Sequence, residues 1–128
     1  MEEVFLDLHA VNLYGWEREK NPYIIESICR GIDAGDTFPP VPIIRVYPFQ
    51  WIFGISSEST RYFIEREPAG GHHRAFAHFL KSKPLLCTLV GKVIREPYIP
   101  FSIRESTLYP KDATQLEQFC SRIDSRYR

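Results

Sequence analysis

The stretch that most constrains this chain is Pro68-Ala-Gly-Gly-His-His-Arg-Ala-Phe-Ala-His-Phe-Leu80. Two glycines come first, then three nitrogen-rich side chains, then apolar residues at helical spacing. Ala75, Phe76, Phe79 and Leu80 share one helical face, which predicts a helix packed along that side. Gly70 and Gly71 can take φ > 0 and bear no side chain, so a ligand can approach the backbone there. The N–H groups of His72, His73 and Arg74 would then lie in the first turn, where a helix leaves its amides without internal partners. Such amides, the positive end of the dipole and an arginine suit an anion, most naturally a phosphate. The plainer reading is a glycine turn followed by solvated histidines, and local chemistry alone leaves both standing.

The flanking sequence predicts the frame around that helix. Val4 to Leu8 reads as a first strand and His9 to Lys20 as a loop, in which Glu17 beside Trp16 is a candidate carboxylate. Asn21-Pro22 is a helix start, and Ile24, Ile25, Ile28 and Ile32 predict an amphipathic helix from about Pro22 to Ile32, weakened and ended by Gly31 and Gly35. Asp36-Thr-Phe-Pro-Pro40 leads into a strand over Val41 to Tyr47, with Pro42 tolerable at a first or edge position. Trp51 to Ile55 and Tyr62 to Ile64 read as further strands, and Leu85 to Val90 as a buried strand ended by Gly91. Tyr98 and Tyr109 read as packing residues. Leu116, Phe119, Cys120 and Ile123 predict a closing helix within Asp112 to Ile123. The order predicts an α+β fold: one compact domain over residues 1–128, with a small mixed sheet or partial barrel flanked by helices.

Charge and cysteine usage narrow the function classes. Lysine plus arginine and aspartate plus glutamate number 16 each, so no global positive field draws in nucleic acid. Cys29, Cys87 and Cys120 are odd in number and widely spaced, which argues against a disulfide framework or a structural zinc site. They read as reduced, buried small hydrophobes in a cytoplasmic protein. Acids follow Met1 where a signal peptide would carry bases, and no apolar run reaches membrane-spanning length.

Three motifs, taken in order, resemble the ParB/sulfiredoxin superfamily. Ile25-Glu-Ser-Ile28 followed by Gly35 is similar to its first helix. Phe38-Pro-Pro-Val-Pro-Ile43 is similar to its proline-led strand entry, and Gly71-His-His-Arg74 with Ala77 to its D-G-H-H-R-x-x-A or G-G-C-H-R signature. The resemblance spans about residues 4–91; residues 92–128 form a C-terminal extension without counterpart. It implies a ParB/sulfiredoxin-like domain that holds a nucleotide's phosphates at Gly70, Gly71, His72, His73 and Arg74. Lys20 and Ser27 fall where sulfiredoxins place polar nucleotide contacts.

Departures from the family separate its branches. His72 stands where sulfiredoxins have their catalytic cysteine, and imidazole cannot form the sulfur adduct, so sulfiredoxin chemistry is not expected. DNA-binding partition proteins carry a helix-turn-helix domain after this module and a basic surplus, and that branch is not expected here. The branch that includes free serine kinases is nearest by motif. It implies Glu17 near an acceptor hydroxyl and His73 as a second catalytic residue, with Mg²⁺ arriving on ATP or ADP. The aspartate of that branch's signature is Gly70 here; Asp36 and Glu65 or Glu67 could substitute for it spatially, which the sequence does not show.

The expectation is therefore a binding domain for a nucleotide or phosphorylated small molecule, extending to a small kinase or phosphohydrolase. The alternatives are a non-catalytic nucleotide-sensing or assembly module, and a ParB-like nuclease or nucleic-acid accessory, which the neutral charge disfavours. Self-association is left open. Adjacent histidines diverge by about 100° around a helix, so His72, His73 and His78 do not suggest a protein-only metal site. Histidines beside a bound phosphate should gain protons, so ligand binding is expected to tighten as pH falls from about 8 to 6.

Overall fold

A computed structural model describes residues 2–15, 18–47, 53–55, 70–89, 94–95 and 101–127. Its helices and mixed sheets make an α+β domain. The predicted strand over residues 62–64 and the carboxylate Glu17 lie outside the described residues.

The larger sheet is built around β4 (Val41–Tyr47). It is flanked by β6 (Leu85–Leu89) in parallel and β5 (Phe53–Ile55) antiparallel. β1 (Glu2–Leu6) closes one edge against β6. Beyond β5 come β2 (Leu13–Gly15) and β8 (Phe101–Ser102), while β7 (Ile94–Arg95) pairs with the far end of β4. Among the described residues Pro42 pairs toward β6 and β5 joins from Ile43, so there the proline has one neighbouring strand. That is the position its missing N–H tolerates.

Helix α1 (Pro22–Asp33) starts as the sequence predicts. Asn21 is extended, its Oδ1 accepts the N–H groups of Tyr23 and Ile24, and Pro22 opens the first turn. Ile24, Ile25 and Ile28 are buried. Gly35, at φ +82°, follows the last turn as a left-handed C-terminal stop. Gly31 lies inside the helix, and a Cβ there would come within 2.8 Å of Phe38 Cζ, so it admits the Phe38 ring instead of ending the helix.

Helix α2 (Gly70–Leu80) is the centre of the fold, in contact with α1, β4, β6 and the 3₁₀ turn Ile103–Glu105. Every residue from Gly71 to His78 is buried, so the helix is wrapped on all sides and does not show a single packing stripe. Ala75 and Phe76 pack as predicted, while Leu80 is exposed. Sheet and helices meet in a core that includes Leu13, Ile25, Ile28, Val41, Ile43, Ala77, Leu85 and Ile103.

The predicted loop from His9 to Lys20 instead holds β2 and β3 (Glu19–Lys20), and β3 pairs in parallel with β9 (Thr107–Leu108). Helix α3 (Ala113–Tyr127) then returns onto α1. Lys111 fastens this segment by an ion pair to Glu26 and a position over the Tyr23 ring. Leu116, Cys120 and Tyr109 are exposed, against expectation; Phe119 packs as predicted, and Gln115 is buried beside it on α3. No helix among the described residues is long and apolar enough to cross a membrane.

The cysteines are free thiols in three settings. Burial pushes the Cys87 thiol up to about 12, only partly offset by the Arg74 charge, and burial also raises Cys29, which is half-buried. Cys120 is exposed. A thiolate-directed reagent at neutral pH is expected to label Cys120 rapidly, Cys29 slowly and Cys87 only after denaturation. Peptide mapping after timed quenching checks this; rapid labelling of Cys87 in the native protein would contradict it.

Candidate functional site

The two glycines are part of α2, which begins at Gly70. Gly35 has the sole positive φ among the described glycines, so Gly70 and Gly71 do not use the left-handed freedom expected of them. Starting the helix there also moves its first-turn amides to Gly70, Gly71 and His72, ahead of His73 and Arg74.

Lys20 is the residue that changes the character of this end of α2. Within β3 the side chains alternate, Glu19 outward and Lys20 inward, and Lys20 is 0% exposed. Its Nζ donates to the Arg18 carbonyl at 3.2 Å. Burial, reinforced by the Lys20 charge, pushes His72 down to about 3, so its ring is neutral at physiological pH. The sequence assigned Lys20 and His72 to one site, and the fold brings them within electrostatic reach.

His73 has a different task. Its Nε2 accepts the Asn21 N–H at 3.0 Å, so the lone pair faces α1 and the neutral ring carries its proton on Nδ1. That hydrogen bond links α2 to the start of α1. Asn21 extends that link, its Nδ2 donating to the Gln115 carbonyl at 2.8 Å. One asparagine thus ties together the start of α1, α2 and the first turn of α3.

Arg74, 2% exposed, lies on the inner side of α2, where its charge is felt at Cys87 and His78. Its carbonyl accepts from His78 Nδ1 at 2.7 Å. Ser27 is half-buried farther along α1 and does not line the cleft at His73. Asp36 follows the opposite end of α1, a helix roughly 18 Å long at 1.5 Å per residue, so it does not replace the missing signature aspartate near His73.

Among the described residues, hollows lie beside both ends of α2. A cleft of about 240 Å³ beside His73 is lined by Glu19, Asn21, Ile24, Tyr109, Gln115 and Gln118. A groove of about 400 Å³ at the other end runs past His78, Phe38, Asp36, Lys83 and Phe5. No family model, curated protein or solved structure matches this chain.

Among the described residues no three His, Cys, Asp or Glu side chains cluster in a way that could hold a metal ion. Sequence reasoning missed Gln115, Glu19 and the linking role of Asn21. Gln115 and Tyr109 belong to the C-terminal extension, and their approach to His73 depends on a strand pairing across 88 residues, Lys20 with Leu108. The local signal was the capping spacing Asp112-Ala-Thr-Gln115, which marks a helix start but not what it faces.

Proposed function

We propose that the chain is a nucleotide- or phosphate-binding domain that uses the N-terminal end of α2. The observation that carries this reading is fully buried Lys20, whose charge is felt at His72 in the first turn of α2. An ammonium, the first-turn amides of Gly70, Gly71 and His72, and the helix dipole supply positive potential in one place. The ordered likeness to the ParB/sulfiredoxin superfamily supports the same ligand class.

The histidines favour binding without turnover. His72 is too weak a base to take a proton near neutral pH, and the Nε2 of His73 is committed to Asn21. A kinase or phosphohydrolase role would have to rest on Glu17 and on Mg²⁺ carried in by the nucleotide, since the described residues offer that ion no carboxylate cluster. The tightening of binding between about pH 8 and 6 is correspondingly not expected of His72, whose protonation lies well below that range.

Calorimetric titration with ADP, with ATP and Mg²⁺, and with inorganic phosphate tests the proposal. Wild-type protein is expected to bind at least one of them without releasing phosphate from ATP. Lys20→Met keeps the buried stem and removes the charge, and is expected to weaken binding about tenfold to a hundredfold. Its circular dichroism should be unchanged. Absence of binding to all three, or full affinity in a folded Lys20→Met protein, would overturn the assignment.

A further inference from the structure

We infer that the cleft between β3, the start of α1 and the first turns of α3 binds small organic ammonium ions, with the Gln115 side-chain carbonyl as the central acceptor. This does not rest on the phosphate reading, because neither Lys20 nor Arg74 lines the cleft.

Gln115 is 8% exposed, and its Oε1 is buried without a hydrogen-bond partner. A buried acceptor left unmade is costly, and native proteins leave few of them. The local sequence offered Gln115 a way out. In the capping spacing Asp112-x-x-Gln115, the Asp112 carboxylate accepts the Gln115 N–H at 2.9 Å, and the glutamine side chain usually returns to the N–H of the capping residue. Here that second half is unmade, and Gln115 instead lines the cleft with its Oε1 shielded from solvent. The backbone of Gln115 is meanwhile held by the Asn21 Nδ2 donor, which fixes the site from which the side chain projects.

The other lining groups set the ligand's chemistry. Glu19 is exposed at the cleft and makes no ion pair among the described residues. Tyr109 supplies an aromatic ring, Gln118 a second amide, and Ile24 an apolar floor. A carboxylate, a carbonyl acceptor and a ring together select a cation with N–H donors. At about 240 Å³ the space suits a ligand smaller than a nucleotide. Oε1 is shielded from solvent in the unliganded protein, and rotation about the soft terminal torsion of glutamine is the movement that would bring it to an entering donor.

The test is a titration of the full chain, followed by ¹H–¹⁵N spectra, with n-propylammonium chloride and with sodium propionate and 1-propanol as controls. The ammonium is expected to shift the Gln115 side-chain amide and the Asn21 backbone amide saturably, and neither control should. Gln115→Met, which removes the unmade acceptor, is expected to melt at the wild-type temperature or above while its affinity falls at least tenfold. Glu19→Gln should weaken the same titration several-fold with melting unchanged. Three results would each overturn the inference: no saturable shift with the ammonium, saturable binding of propionate in its place, or a Gln115→Met protein that melts clearly below wild type.

Discussion

Asn21→Ala is expected to destabilise the fold by about 2–3 kcal/mol, more than an ordinary helix cap provides. The cap itself, with Oδ1 on the amides of Tyr23 and Ile24, accounts for about 1 kcal/mol. The buried bond from Nδ2 to the Gln115 carbonyl adds about another 1 kcal/mol, and the space left in a buried position adds to both. Asn21→Ser separates the two parts, because serine still caps α1 but is too short to reach α3. It should recover about 1 kcal/mol of the loss. Urea unfolding gives the totals, and hydrogen exchange locates them: the alanine variant should lose protection at Tyr23 and Ile24 and in the first turn of α3. If alanine costs no more than serine, Asn21 does not serve as a cap as well as a tether.

Acid is expected to unfold the protein through His72. In an unfolded chain that ring takes up its proton near its ordinary value of 6.5, whereas in the fold it stays neutral down to about pH 3. Between those limits the unfolded state binds more protons, so the contribution of His72 is full above pH 6.5 and is lost as pH falls. The slope is about 1.4 kcal/mol per pH unit for one proton, which amounts to about 3 kcal/mol by roughly pH 4. His78, lowered by burial and by the Arg74 charge against its backbone hydrogen bond, acts in the same direction. Urea midpoints measured across this range should fall steadily, and His72→Gln should flatten the fall by about one proton. In the wild-type spectrum the His72 ring should keep its neutral shift until the protein unfolds. A His72 resonance titrating near pH 6.5 in folded protein would end this account.

What the sequence disclosed is what short-range chemistry encodes. Asn21-Pro22 set the start of α1 at the predicted residue, and the proline-led entry into alternating residues set β4 at Val41–Tyr47. The α+β class followed from the order of such elements. Lys20 was legible as a candidate through family likeness, but its burial was not, because Glu-Lys carries no apolar signal and its pairing partner lies far along the chain. The face of α3 was misjudged for a related reason. Leu116, Phe119, Cys120 and Ile123 read as the packing stripe; Phe119 does pack, but Leu116 and Cys120 are exposed and Gln115 turns inward, where Asn21 meets it. At α2 the same polar letters that suggested a surface site, His-His-Arg, are enclosed on every side, and their partners are set by tertiary placement.

The pairing of Lys20 with Leu108 also fixes when the molecule can be completed. During synthesis the amino-terminal strands and α1 leave the ribosome long before residues 107–115 exist. Until then the Lys20 ammonium remains hydrated and Asn21 has no carbonyl from α3 to hold. Final closure is therefore a late event, governed by a contact of high sequence separation, and a nascent chain stalled before that point would present the amino-terminal half of the domain half-built to chaperones and proteases.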